Sequence, residues 1–367
     1  MMKKTISQCM IVKNEEKNIR RALSWGKDIM CEQIVVDTGS SDRTVEIARE
    51  MGAKIFFFPW INDFAAAKNF AIDQAKGDWI AFLDADESFT PEDTKKIPEI
   101  LEYVGEDVDG LLTGIVDLDE NNNITSGGTM IRFFVNRPDL RYVGKIHEHL
   151  VRKGRSGLHL TDATKQLAFL HTGYQEQEKK DKSKFERNLN IILEILKQEP
   201  ENCDYLGYLG DTYSSDGKNE EARDAYKKAV AAMPEKLEIY DQRSSYTYTN
   251  LLRVSQCLKE PEAEVEAIYK EAVEKLPKEP DFDCVMGDWY WRKGRYEKAV
   301  QMYELAIAKL ETYGTVNRGI ITTSMLIQMY ECLGEGCRRL GDYQKAVRYC
   351  VIVLNTDHKD MNALLTL

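Results

Sequence analysis

Asp84 and Asp86 stand one residue apart, with Glu87 next, where the apolar run Trp79-Ile80-Ala81-Phe82-Leu83 ends abruptly. Two charged carboxylates this close repel each other. A hard divalent ion relieves the repulsion and still accepts phosphate oxygens, so the tetrapeptide predicts Mg2+ or Mn2+ bridging the acidic cluster to a diphosphate. If the strand continues, Asp84 and Asp86 project to one side and Glu87 to the other; a turn would alter this. The alternative is an acidic surface turn that binds nothing.

A second dense segment is Tyr142-Val143-Gly144-Lys145-Ile146-His147-Glu148-His149-Leu150. Extended, it puts His147 and His149 on one face and Glu148 on the other. Either a histidine pair or the carboxylate would then face a cleft, and a polar support network is the alternative to both. His171 closes the apolar run Leu167-Ala168-Phe169-Leu170. A histidine at the mouth of a strand suits a metal already held by acidic groups. A hydrogen-bonded structural histidine is the competing reading.

These groups need a scaffold. Short apolar runs at residues 5–12, 33–37 and 54–58 read as strands, and residues 18–30 and 42–51 carry apolar positions at helical intervals. Thr38-Gly39-Ser40-Ser41-Asp42 supplies turn and cap groups, Gly52 ends the second helix in a left-handed conformation, and Pro59 ends the next strand. Asn62-Asp63 cap a third helix reaching Lys76. Strands alternating with helices imply a parallel sheet covered on both faces, with residues 79–83 as a central strand. Ligands in such folds bind at the carboxyl edge, where Asp84 would emerge. Residues 108–116 and 130–135 read as further strands, with a polar turn over 119–125.

Four blocks in this order resemble family 2 glycosyltransferases. They are Cys9-Met10-Ile11-Val12-Lys13-Asn14-Glu15-Glu16, Ile34-Val35-Val36-Asp37-Thr38-Gly39-Ser40-Ser41-Asp42-Arg43-Thr44, Asp63-Phe64-Ala65-Ala66-Ala67-Lys68-Asn69 and Phe82-Leu83-Asp84-Ala85-Asp86-Glu87. The likeness covers about residues 5–175 and implies an α/β domain of the GT-A nucleotide-diphospho-sugar transferase fold that uses a UDP-sugar donor. By resemblance Val12, Asn14 and Glu15 surround the nucleoside, and Asp37 accepts a hydrogen bond from the pyrimidine. Lys68 offsets phosphate charge, Asp84 lies near ribose and metal, Asp86 is the principal metal ligand, and His171 completes the metal or diphosphate site. Glu148 matches the base that takes the acceptor's proton, with His147 as its rival. Solvated helix faces are the alternative for Glu15 and Lys68.

The chain changes character near residue 175. Leu206, Leu209-Gly210, Tyr213, Gly217, Ala222, Tyr226, Ala229 and Pro234 fit a tetratricopeptide unit, and Gly287, Tyr290, Gly294, Ala299, Tyr303 and Ala306 repeat it. Looser copies end at Pro277 and include Gly334, Gly341, Ala346 and Cys350. Irregular spacing predicts inserted loops or longer helices in about four helical pairs spanning residues 200–355. The expected organisation is a catalytic domain over 1–175, a helical linker over 176–199 and an all-α tetratricopeptide-like repeat domain over 200–367. Trp289 and Trp291 could line a groove, though a core role for at least one is the stronger expectation.

The order of catalytic domain and repeats resembles peptide S-glycosyltransferases that modify bacteriocins called glycocins. It implies inverting transfer of a hexose to a cysteine or serine of a peptide or protein acceptor, in preference to a glycan. Cell-surface polysaccharide or glycolipid synthesis, and a non-catalytic repeat scaffold, are the alternatives. The repeats would engage the peptide or form a homodimer.

Composition narrows the field. The 367 residues suit two or three domains, and 50 Lys plus Arg against 61 Asp plus Glu give a net charge of −11. That balance argues against nucleic acid as a partner. No apolar stretch is long enough for a transmembrane segment. Eight scattered cysteines without a close-spaced four-ligand set read as reduced thiols in a cytoplasmic protein. No GxGxxG follows the first strand, and no GxxxxGK[ST], GxSxG, HExxH or EF-hand loop occurs.

Overall fold

The strand β1 (Ile6–Val12) is buried almost throughout, because it is enclosed on both faces and paired on both edges. β2 (Glu32–Asp37) pairs parallel on one side, with Val12 opposite Asp37, and β3 (Lys54–Phe57) pairs parallel to β2. β4 (Trp79–Phe82) pairs parallel to the other edge of β1. The chain therefore builds outward through three strands and returns to the far side of the first. That reversal makes a switch point between β1 and β4, the place where open α/β sheets bind their ligands.

The computed structural model describes residues 4–172, 182–238, 241–314 and 318–367. It divides into two units, Met1–Ile191 and Ile192–Leu367. The boundary expected at 175 lies outside the described residues.

In the first unit, alternate side chains of the parallel strands feed two cores. Met10, Val12 and Val35 pack against α1 (Ile19–Ser24) and α2 (Thr44–Glu50). Cys9, Ile34, Val36 and Phe82 pack against α3 (Phe64–Asp73) on the opposite face. Complete burial of a side chain such as Phe82 contributes roughly 1.5–3 kcal/mol. Asp63 caps α3 by accepting the Ala66 N–H at 2.8 Å. Buried Ala65, Ala67 and Ala71 let the helix lie close to the sheet.

Beyond β4 the chain turns into β5 (Glu87–Phe89), then α4 (Pro91–Tyr103), which starts with Thr90 as cap and Pro91 in its first turn. β6 (Gly110–Leu118) and β7 (Ile124–Val135) form a long antiparallel hairpin. The sequence expected a shorter second strand beginning at Met130. A small hairpin joins β8 (Leu140–Val143) to β9 (His149–Arg152), followed by β10 (Leu160–Asp162) and β11 (Ala168–His171). The main sheet has the order β3-β2-β1-β4-β7-β6-β11-β5, with β10 also on β6.

A helix over Lys182–Gln198 spans the division. Among its described residues the second unit stacks four helical pairs: Cys203–Ser215 with Asn219–Ala232, Gln242–Cys257 with Glu262–Lys275, Asp281–Arg292 with Tyr296–Tyr313, and Leu326–Arg339 with Tyr343–Thr356. Glycine at the crossings is a steric requirement. A Cβ on Gly210 would stand 2.4 Å from the Tyr226 ring, and one on Gly287 would stand 2.6 Å from Tyr303. Trp289 is buried in this core and Trp291 is half-buried against Tyr296. No helix among the described residues is long and apolar enough to cross a membrane. All eight cysteines are free thiols.

Candidate active site

Two loops meet beyond the carboxyl ends of β1 and β2. The Val12 carbonyl accepts both the Thr38 N–H, at 2.9 Å, and its hydroxyl, at 3.0 Å. Buried Asp37 accepts the N–H groups of Gly39 and Ser40, each at 3.1 Å, and Gly39 takes the positive φ of 110° that this tight turn needs. Asn14, itself at φ 59°, donates its N–H to the Ser40 hydroxyl at 2.9 Å and accepts the Ser41 N–H at 2.8 Å. Glu15 donates its N–H to Thr44 Oγ1 at 2.7 Å, and its carboxylate accepts from Asn18 at 2.9 Å. Short polar side chains thus tie the β1–α1 loop to the β2–α2 loop and fix where Val12, Asn14, Glu15 and Asp37 stand.

The acidic tetrapeptide is a turn, so the strand-face alternation does not apply. Glu87 N–H donates to the Asp84 carbonyl at 3.1 Å, while the Glu87 carboxylate accepts the Asp84 N–H at 3.0 Å. This folds Glu87 inward and leaves the Asp84 side chain 42% exposed. Arg132, from β7, contacts both Glu87 and Asp84, the latter at 3.3 Å, and lies over the Phe169 ring. Lys68, from α3, meets Glu148 at 2.7 Å and Asp84 at 3.9 Å, flanked by the rings of Phe82 and Tyr142. The result is a line of alternating charge running Glu148, Lys68, Asp84, Arg132, Glu87.

Electrostatics follow from that line. Burial works against the Lys68 charge, but Asp84 and Glu148 outweigh it and raise the ammonium's pKa. Enclosure works against the Asp84 charge as well; Lys68 and Arg132 overcome it and hold the carboxyl below the usual range. Glu87 is the most buried carboxylate of this line, and burial pushes it up to about 7 against the opposing pull of Arg132.

Asp86 lies on the outer side of the turn, where its Oδ2 is 3.4 Å from His171 Nε2. The other ring nitrogen, Nδ1, is 2.8 Å from Asp117 Oδ1. The Asp86 carbonyl accepts from Thr172 N–H at 3.2 Å, from its hydroxyl at 3.1 Å and from Arg21 at 3.3 Å, so the turn is held from α1 and from the end of β11. Burial pushes His171 down, yet its bonds to Asp86 and Asp117 prevail and lift it to about 9.

Among the described residues no group of three or more His, Cys, Asp or Glu side chains is arranged to hold a metal. Asp86 and His171 alone offer one oxygen and one nitrogen donor, directed at each other. That pair fits a divalent ion taking the rest of its shell from phosphate and water, the usual habit of Mg2+ at phosphate sites. Asp84 engages Lys68 and Arg132 instead of the Asp86–His171 pair.

The expected extended segment at residues 142–150 is two strands joined by a loop. Gly144 at φ 95° and His147 at φ 55° bend the chain away from a strand. The loop is anchored by the Phe64 N–H, which donates to the Lys145 carbonyl at 2.8 Å. Asn69 also exchanges two 2.9 Å hydrogen bonds with the Tyr142 backbone. His147 and His149 are consequently exposed, and Glu148 turns in toward Lys68. Arg132 and Asp117 escaped the sequence reading. Their signal was a charge inside an apolar strand, Met130-Ile131-Arg132-Phe133-Phe134 for one and Gly114-Ile115-Val116-Asp117 for the other.

Residues 7–155 match the model of glycosyl transferase family 2, and residues 205–235 and 285–314 match tetratricopeptide repeat models. The chain is 33% identical over 231 residues to the SPbeta prophage-derived glycosyltransferase SunS of Bacillus subtilis, covering 62% of this chain and 53% of SunS. It is 32% identical over 218 residues to a TPR repeat-containing protein of Synechococcus elongatus, covering 58% of this chain and 53% of that protein. An uncharacterized glycosyltransferase of Rickettsia bellii is 41% identical over 104 residues, covering 28% of this chain and 34% of the relative. The chain thus spans about half the length of the first two relatives.

Proposed function

We propose, from the premise that this chain carries a family 2 glycosyltransferase catalytic domain followed by tetratricopeptide repeats, that it transfers a hexose from a UDP-sugar to a cysteine or serine of a peptide, with inversion at the anomeric carbon. The observation that carries this reading is the placement of Asp37 at the end of β2 and of Asp84 and the Asp86–His171 pair just beyond β4, on the two sides of β1, with Glu148 linked to Asp84 through Lys68. Similarity to SunS and the presence of repeats support a peptide as acceptor.

In this reading Val12, Asn14 and Glu15 border the nucleoside and Asp37 receives the pyrimidine N–H. Asp84 faces the ribose, held in place by Lys68 and Arg132 from below. Asp86 and His171 would hold Mg2+ or Mn2+, which when bound offsets negative charge on the departing diphosphate. The acceptor attacks the anomeric carbon from the face opposite UDP. The new bond to sulfur or oxygen forms as the bond to the diphosphate oxygen breaks, and Glu148, or its rival His147, takes the acceptor's proton. Protonating Glu148 sacrifices its ion pair with Lys68. A thiol, with its ordinary pKa of about 8.5, asks less of that base than a hydroxyl does.

UDP-sugar hydrolysis, followed with and without EDTA, tests the donor half. Turnover should depend on added Mg2+ or Mn2+ and fall at least about 100-fold in Asp86→Ala, the scale of losing one electrostatic partner of the transition state. Unchanged turnover in that variant contradicts the metal role. Intact-mass assays with cysteine-bearing peptides and with lipid-linked acceptors test the other half. A hexose-sized addition to peptide is expected; reaction with the glycan acceptor alone rejects it.

A further inference from the structure

We infer that Asp117 is a positioning residue for the divalent-ion site, fixing His171 so that Nε2 faces Asp86. This rests on the donor-site reading above. His171 closes β11 and stands directly opposite Asp117 in the parallel register with β6. The 2.8 Å contact from Nδ1 to Asp117 Oδ1 requires the ring to donate there, because an ionised carboxylate only accepts. A metal takes the ring in its neutral form, and the lone pair is then on Nε2, on the side where Asp86 Oδ2 lies 3.4 Å away.

Asp117 is itself held. Its other oxygen accepts the Ser126 hydroxyl, and Ser126 is its register partner across the β6–β7 hairpin. Ser126, Asp117 and His171 therefore sit on three neighbouring strands in spatial order, so sheet pairing alone aligns them. The fourth member arrives separately, with the Asp86 carbonyl clamped by Thr172 and Arg21. A metal-binding imidazole without such a partner could offer either nitrogen and rotate about its Cβ–Cγ bond. Outer carboxylates that remove this freedom typically account for about 10–100-fold in metal affinity.

The test uses the full chain with UDP and Mn2+. Free Mn2+ is counted by its electron paramagnetic resonance signal, and bound Mn2+ is examined for nitrogen modulation from a coordinated imidazole. Asp117→Ala should weaken Mn2+ binding by about 10–100-fold and diminish the nitrogen modulation at saturating ion. Asp117→Asn keeps an acceptor oxygen and should lose less, and Ser126→Ala less again. UDP affinity in EDTA should be unchanged in all three. Native Mn2+ affinity with full nitrogen modulation in both Asp117 variants overturns the inference. So does an equal loss of metal-free UDP binding, which marks a structural role only. If the unaltered chain binds no Mn2+ with UDP present, the ion reading itself fails and Asp117 has no ion to serve.

Discussion

Lys68 keeps a charge with only 5% of its surface exposed, between Glu148 at 2.7 Å and Asp84 at 3.9 Å. Such a group is tolerated because both sides of it are satisfied, and removing it leaves two carboxylates without their shared cation. Breaking a buried pair in this way costs about 3–5 kcal/mol. Lys68→Met preserves most of the packing against Phe82 and Tyr142, so urea unfolding of that variant should show a loss of about this size. Arg43→Ala, which removes an exposed pair with Glu46, should leave the midpoint nearly unmoved. Equal effects from the two substitutions would mean that the buried line of charge contributes nothing particular. The same line explains why Asp84 stays ionised while partly enclosed, ready to accept hydrogen bonds.

Each first helix of the four repeat pairs ends in the same backbone motif. The left-handed residue is Gly217, Lys259, Gly294 and Gly341 in turn, and the next N–H reaches back into the last helical turn each time. Lys259 alone bears a Cβ in that conformation. Lys259→Gly should stabilise the repeats by about 0.5–1 kcal/mol, the strain relieved less the extra freedom glycine has when unfolded. No gain in thermal midpoint would contradict this. In the last pair, the Arg338 hydrogen bond, reinforced by Arg339, holds Glu335 down at about 2, against burial. Its folded pKa lies below the ordinary 4.5, so its stabilisation is full above 4.5 and is lost as pH falls toward 2. Glu335→Gln should therefore flatten acid destabilisation in that window, and an unchanged acid profile would contradict the assignment. Much of this scale was legible beforehand. Short apolar runs located β1, β2 and β4, and glycine-aromatic spacing located the first and third repeats. The loop at residues 144–148 was not legible, because His147 takes a left-handed conformation where glycine would have announced it. Nor was the contact of Arg132 with Glu87, which exists only once β7 pairs beside β4.

At the scale of the molecule, each unit has its own apolar core, one around the mixed sheet and one along the helical stack. The candidate catalytic groups all lie in the first unit, and in the proposed reading the repeats of the second engage the peptide acceptor. A net charge of −11 would favour the approach of a basic peptide over an acidic one, and added salt should weaken that preference. Donor binding is the claim from which the remainder follows, because neither the base nor the acceptor has meaning unless a nucleotide diphosphate meets Asp86. Anomalous diffraction from crystals of the full chain soaked with UDP and Mn2+ tests it most directly. The account predicts one strong manganese peak coordinated by Asp86 and His171, a uracil ring against Asp37, and the diphosphate between them. Manganese bound elsewhere, or a uridine remote from Asp37, would contradict it.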